Sequence, residues 1–251
     1  MSAKFKAYSI TDLGGRKENQ DSFLLLQKSS ESGKYVLLAA VADGAGGFGE
    51  GQTASRGLLD AIRKWFGSVS AETFLSQSNL MNLMDDALKK MHNDMLDYAR
   101  EKGITYGTTL TLLLILEDTK YIAAQVGDSR LYIYQAGELQ QITKDQTVAQ
   151  KERDTGSEIH CSSNKESTLL QCFGAGTVSP KYYDGTLHDS AQIMLCSDGQ
   201  SNKLENSEIK EVLETGKTPE EKLDFLLRMA RNKGEQDNIT TVLITKEQLQ
   251  S

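Results

Sequence analysis

Apolar residues along this chain follow two rhythms. Short runs rich in Val, Ile, Leu and aromatic residues predict β-strands near 5–10, 22–28, 35–42, 109–116, 120–126, 129–134, 138–142, 192–196 and 239–244. Longer stretches repeat apolar positions every three or four residues and predict helices. The first, 53–66, sets Leu58, Ala61, Ile62, Trp65 and Phe66 on one face, with Thr53 as its N-cap. The second, about 80–101, carries Leu80, Met84, Ala87, Leu88, Met91, Met95 and Tyr98. The third opens on Thr218-Pro219-Glu220-Glu221, a capping box with proline at its first helical position, and runs on through Leu223, Leu226, Leu227 and Ala230. A shorter helix is expected over 207–214. Strands arrive in hairpin-like groups rather than in strict alternation with helices, which predicts an α+β fold with antiparallel sheets. No repeat or Pro-rich linker divides the chain, so residues 1–251 are expected to form one domain. Within it, 145–180 is polar and weakly periodic, the signature of an inserted functional loop or lid.

Composition narrows the classes of function. With 28 basic and 35 acidic residues the net charge is −7, and no Lys/Arg-rich block offers a footprint for nucleic acid. No apolar run is long enough to span a membrane, and the first residues lack the apolar core of a signal peptide, so a cytoplasmic location is expected. The three cysteines, Cys161, Cys172 and Cys196, show neither disulfide-framework nor zinc-site spacing. Three scattered histidines suggest no nucleophilic triad.

The stretch VADGAGGFGEG, 41–51, matches G-x-G-x-x-G through Gly44, Gly46 and Gly49. A dinucleotide fingerprint also needs a second strand after its helix. Here the following segment, 67–90, reads as more helix. Asp43 would moreover repel a pyrophosphate, and no G-K-[ST] follows for a P-loop.

Asp43 instead belongs to a recurring pattern. An aspartate stands where an apolar strand meets a turn in VLLAAVADG (36–44), IAAQVGDSR (122–130) and IMLCSDG (193–199). Asp21 and Asp237 stand at strand starts in RKENQDSFLLL (16–26) and GEQDNITTVLI (234–244). Singly, each has a turn explanation. Together they ask for another account: strand ends of a layered β-structure can converge on one edge, a step that spacing alone does not supply. Two bare carboxylates ~5 Å apart at an effective dielectric of ~20 repel by about 3 kcal/mol. Hard divalent cations such as Mg²⁺ and Mn²⁺ relieve that repulsion.

Six blocks in order, Arg16-x-x-Asn19-Gln20-Asp21, Asp43-Gly44-Ala45-Gly46-Gly47, Gly107-Thr108-Thr109, Val126-Gly127-Asp128-Ser129-Arg130, Leu195-Cys196-Ser197-Asp198-Gly199 and Asp237-Asn238-Ile239-Thr240, closely resemble the signatures of metal-dependent protein serine/threonine phosphatases, the PPM or type 2C family, in its compact bacterial form. The resemblance implies a four-layer α-β-β-α sandwich with metals at one edge of two antiparallel sheets. It implies two Mn²⁺ or Mg²⁺ ions, with a third, weaker site. By matching position, Asp43 bridges the two ions, the Gly44 carbonyl binds one, and Asp198 and Asp237 hold the other. Asp21 acts through a metal-bound water, Asp128 joins Asp198 at the third site, and Arg16 binds the substrate phosphate. The segment 145–180 corresponds to the family's flap. The implied reaction is hydrolysis of phosphoserine and phosphothreonine in proteins by a metal-activated water. The implied partners are phosphoprotein substrates and an opposing Ser/Thr kinase, and a monomer is expected.

Two positions depart from the family pattern. Ala45 stands where many members have histidine, and Asp145-Gln146-Thr147 stands for the common Asp-His-Ser. Neither touches an implied metal ligand, but Gln146 cannot titrate. Two alternatives remain: a catalytically inactive regulatory member, which the intact aspartates oppose, and a phosphatase of small phosphomonoesters.

Overall fold

The computed structural model describes residues 5–45, 50–76, 79–117, 119–156 and 168–246. Its strands are β1 (Phe5–Asp12), β2 (Asp21–Ser29), β3 (Tyr35–Ala45), β4 (Gly107–Thr108), β5 (Leu110–Leu116), β6 (Lys120–Val126), β7 (Arg130–Gln135), β8 (Glu138–Gln141), β9 (Lys181–Thr186), β10 (Gln192–Cys196) and β11 (Ile239–Lys246). Its helices are α1 (Glu50–Ser68), α2 (Ala71–Ser76), α3 (Leu80–Lys102), α4 (Val148–Thr155), α5 (Asp198–Ser201), α6 (Asn206–Glu214) and α7 (Pro219–Asn232). One sheet runs β1-β11-β10-β7-β8 and the other β2-β3-β5-β6-β9, with β4 paired to β3. Every named pair is antiparallel. A parallel βαβ unit, which a dinucleotide site requires, has no counterpart among them.

Period-two alternation sorts the side chains into four layers. In β3, Val36, Leu38, Ala40 and Ala42 face a core shared with α1 and α3, which supply Leu58, Ile62, Met84 and Leu88. The intervening Leu37, Ala39 and Val41 face the other sheet and meet Leu131, Ile193, Leu195, Val242 and Ile244. Both faces of β3 are covered, so residues 35–42 read as a continuous apolar run. On the far side, Tyr132, Met194 and Leu243 pack against Ile209, Val212, Leu223 and Leu226 of α6 and α7. The architecture is the expected α-β-β-α sandwich.

Local signals account for most boundaries. At α7 the Thr218 hydroxyl accepts from Glu221 N, and the Glu221 carboxylate accepts from Thr218 N at 2.8 Å. Gly103 closes α3 in the left-handed region, at φ 65°. Three expectations are corrected. Helix α1 begins at Glu50, so Thr53 is inside it rather than at its cap; an acid in the first turn suits the helix dipole. The segment 145–180 is not loop throughout: α4 starts on a Thr147 cap whose hydroxyl accepts from Gln150 N. Strand β9, KYYDGT, follows that segment and was not expected, because Asp184 and Gly185 break the apolar pattern of an edge strand. No helix among the described residues is long and apolar enough to cross a membrane.

Candidate metal centre

The carboxylates converge at one edge of the two sheets, and sheet register begins the convergence. Asp21 at the head of β2 lies directly opposite Asp43 in β3. The backbone of Asp43 is held on its other side by the Gly107-Thr108-Thr109 block. Its carbonyl accepts from Thr109 N at 2.9 Å and Thr108 Oγ1 at 3.0 Å, and its N–H donates to Thr109 Oγ1 at 3.0 Å. Thr109 Oγ1 and Ser129 Oγ, 2.8 Å apart, tie this strand to the turn carrying Asp128. Asp198 opens α5 immediately after β10, and Asp237 precedes β11, the neighbour of β10. The charges of Asp21, Asp198, Asp128 and Asp237 all act on the Asp43 carboxyl.

Such crowding perturbs titration strongly. Burial and then the charge of Asp21 hold Asp43 well above the usual carboxylate range. Burial pushes Asp21 up to about 7, partly offset by hydrogen bonds from Ser197 and Thr240, and Asp198 and Asp237 raise it further. Asp128 is pushed up to about 8, chiefly by burial and then by Asp198. Asp198 is raised by burial and by Asp237, against a hydrogen bond with Asp43 and a 3.0 Å one from Asn202.

Two buried oxygens, Asp21 Oδ1 and Asp198 Oδ1, have no hydrogen-bond partner. An orphaned buried acceptor costs about 1–3 kcal/mol, and two of them in one acidic cluster fit cation ligation. Among the described residues, however, no three or more His, Cys, Asp and Glu side chains are gathered closely enough to hold a metal ion by themselves. The expected shell includes the Gly44 carbonyl and water as well as carboxylates, which a count of side chains omits.

Residues that the sequence reading did not single out hold this geometry. Ser197 Oγ donates to Asp21 Oδ2 at 2.7 Å and accepts from Thr240 N at 3.0 Å, joining the two sheets. The Asn238 side chain donates to the carbonyls of Leu13 and Glu18 and accepts from Gln20 N, so it fastens the β1–β2 loop to the start of β11. Both residues lie within quoted blocks, beside an aspartate, and that adjacency is their only signal in the sequence. Gly44 is required by close approach: a Cβ there would lie 2.1 Å from the Gly51 carbonyl oxygen and 2.8 Å from that of Gln20.

Arg16 sits on the loop that Asn238 fastens, and its guanidinium contacts Asp237 Oδ2 at 2.6 Å. This hydrogen bond and the charge of Asp237 raise its pKa further; Asp198 and Asp43 add to the effect. The expected phosphate binder is thus aimed at the acidic cluster. Gln146, at the departure from the family pattern, is a structural clamp: its Oε1 accepts from Gly127 N at 2.9 Å and its N–H donates to Gly127 O at 3.0 Å. Asp145 beside it takes a bidentate pair from Arg130, Nε to Oδ1 at 2.9 Å and Nη2 to Oδ2 at 2.7 Å. The base of the 145–180 segment is thereby locked to the turn that bears Asp128. Gly46, Gly47 and Gly49, and residues 157–167 of the expected flap, lie outside the described residues.

Comparison with known proteins identifies the family. A family model described as protein phosphatase 2C matches residues 14–244. A serine/threonine phosphatase, stp, of Listeria innocua is 27% identical over 260 residues, covering 100% of this chain and 98% of that protein. The protein phosphatase PhpP of Streptococcus pneumoniae is 26% identical, covering 94% of this chain and 95% of that protein. The solved serine/threonine phosphatase of S. agalactiae superposes with a TM-score of 0.84 at 29% identity, covering 97% of this chain and 100% of that one. The chain belongs to the protein phosphatase 2C family.

Proposed function

We propose that this chain is a protein serine/threonine phosphatase that hydrolyses phosphoserine and phosphothreonine in proteins at a binuclear Mn²⁺ or Mg²⁺ centre. Family membership and the full-length likeness to serine/threonine phosphatases support the reaction. The observation that carries the site assignment is the pair of buried, donorless oxygens on Asp21 and Asp198 beside Asp43. In this reading Asp43 would serve both ions, the Gly44 carbonyl one of them, and Asp198 and Asp237 the other; Asp21 would act through water, and Asp128 with Asp198 would hold a third position. Activation of water near neutral pH and neutralisation of phosphoryl charge are the chemistry that bound divalent cations supply.

The chain's own residues divide the remaining work. Arg16 offers a planar fork to two phosphoryl oxygens and orients phosphorus toward the cluster. Ser197 and Asn238 keep Asp21 and the Arg16 loop in register. Water adds to phosphorus opposite the serine or threonine oxygen, which leaves with a proton, and inorganic phosphate is released. The chain acts as one domain with a flap-like insertion at 145–180, and opposes a Ser/Thr kinase as a monomer. A cytoplasmic location agrees with its composition.

The test is hydrolysis of p-nitrophenyl phosphate and a phosphothreonine peptide with added Mn²⁺ or Mg²⁺. Turnover lost with EDTA and abolished in Asp43→Ala and Asp198→Ala supports the reading. Metal-independent turnover, or full activity in Asp43→Ala, refutes it. Metal binding without turnover would favour an inactive regulatory member, and a large kcat/KM preference for small esters would favour a small-molecule phosphatase.

A further inference from the structure

Beside the acidic cluster, the edge strands β1 and β2 and helix α1 enclose an open cavity of about 340 Å³. Asn19 and Asp21 line the end that adjoins the metal centre; Phe23, Arg56, Asp60 and Arg63 line the rest. Asp21 belongs both to this lining and to the proposed reaction site. Its position follows from packing: Ser55 donates to Gln20 O at 2.6 Å, which docks the first turns of α1 on the β2 entry and brings Arg56 alongside.

Two arginines, Arg56 and Arg63, stand in this lining against two aspartates, Asp21 and Asp60. The lining is thus formally neutral on a chain that carries −7 overall, and its arginines are the groups without strong partners. Arg56 is exposed and has no ion pair or hydrogen bond among the described residues. Arg63 has only a 4.0 Å contact with the exposed Asp60, a geometry worth little in water. Seven residues on one helix separate the two arginines by two turns, about 10 Å. Phe23 adds an aromatic surface that is 37% exposed on an edge strand. Structural reasons for the arginines are missing, since neither caps a helix or crosses to another element.

We propose that this cavity is a substrate-selectivity groove, in which Arg56, with Arg63 behind it, binds an acidic residue flanking the phosphorylated serine or threonine, while Phe23 supports the peptide chain. The proposal rests on the phosphatase reading above. A cavity of this volume is on the order of 9 Å across, two to three residues of extended chain. The acidic side chain therefore lies two or three positions from the phosphorylated residue. Asp60 opposes the same side chain and sets the strength of the preference.

The experiment compares kcat/KM for phosphothreonine peptides that differ only in an acidic, neutral or basic residue at these positions on either side, with p-nitrophenyl phosphate as a substrate that cannot reach the groove. The native enzyme is expected to favour the acidic over the basic peptide by about tenfold, through KM, with the preference shrinking in high salt. Arg56→Gln removes about three- to fivefold of it, Arg56→Glu inverts it, and Asp60→Asn enlarges it. All three keep the p-nitrophenyl phosphate rate, which also shows that they fold. Turnover without an acidic preference, or a preference untouched by Arg56→Glu, overturns this inference alone. No turnover of any substrate with metal overturns the phosphatase reading and the inference together.

Discussion

Arg16 Nη2 lies 2.6 Å from Asp237 Oδ2, so the residue expected to hold the substrate phosphate is paired with a residue expected to hold a cation. Both side chains are substantially exposed, at 59% and 36%. Such a pair contributes at most about 1 kcal/mol to stability, whereas a charged hydrogen bond to a phosphoryl group is worth about 1.5–3 kcal/mol. Function therefore dominates at Arg16. Arg16→Ala is expected to lower kcat/KM on phosphopeptides by roughly 10- to 100-fold and to move Tm by about 3 °C at most. Arg16→Lys restores little, because a point charge cannot replace the fork. Unchanged kcat/KM in Arg16→Ala refutes the role.

Sequence and structure agree at most local signals, the Thr53 cap being an exception. The α7 capping box, the continuous apolar run of β3 and the five aspartates at strand ends were all legible. Strand β9 was not, because an edge strand tolerates Asp184 and Gly185. Helix α5 has four residues, fewer than periodicity can register. Convergence of the aspartates depends on the Asp21–Asp43 register and on the packing of one sheet against the other. Local sequence encodes neither. Ser197 escaped notice for the same reason: its partners, Asp21 and Thr240, are 176 and 43 residues away.

Ser197 supplies the next expectation. Its hydroxyl is the donor that fixes Asp21 Oδ2, and it also satisfies Thr240 N. Ser197→Ala leaves Thr240 as the remaining hydrogen-bond donor to the Asp21 carboxylate. Partners that orient metal ligands typically contribute 10- to 100-fold to affinity or activity. A rise of about tenfold in the Mn²⁺ concentration for half-maximal activity is expected, with p-nitrophenyl phosphate KM little changed. A variant with native metal dependence would leave Ser197 a purely structural role.

Stability of the metal-free protein is expected to fall as pH rises. Asp21 titrates near 7 and Asp128 near 8, both raised from 3.8, and Asp43 and Asp198 are raised as well. Between about pH 4 and 8 the folded state thus binds more protons than the unfolded chain, so ∂ΔG/∂pH of unfolding is negative. The stability is fully present below the unfolded pKa and is lost as pH passes through 7 to 8. Calorimetry in EDTA should show Tm lower at pH 8 than at pH 5 by about 3 °C or more. Added Mn²⁺ should raise Tm more at pH 8, where protons no longer compete for the carboxylates. A Tm that rises with pH in EDTA contradicts this.

Gly44→Ala tests the backbone beneath the cluster. The added Cβ meets the Gly51 carbonyl at 2.1 Å and Gln20 O at 2.8 Å, both main-chain atoms that no rotamer change can move. Relief requires α1 to retreat from β3, which displaces Asp43 and the entry to β2 together. A loss of about 3 kcal/mol or more is expected in urea unfolding, along with metal-dependent activity. Native stability would mean that α1 is not held as tightly as the contact with Gly51 implies.

Asp43→Asn separates the cost of the cluster from its use. The Asp43 carboxyl is surrounded by four aspartates and held well above its usual pKa, chiefly by burial and then by Asp21, so the metal-free fold disfavours its ionised form. The neutral isostere removes both the desolvation and the repulsion from Asp21 directly across the strand pair. Metal-free Tm at pH 8 is therefore expected to rise by about 2–4 °C, while metal-dependent turnover falls by about 10³-fold or more. The two measurements must move in opposite directions. A variant that loses both stability and activity would show that Asp43 is held by native contacts rather than strained by its neighbours. A variant that keeps activity would remove Asp43 from the centre altogether. Stability given up at an active site is a common trade, and here it traces to one carboxylate placed against another by sheet register.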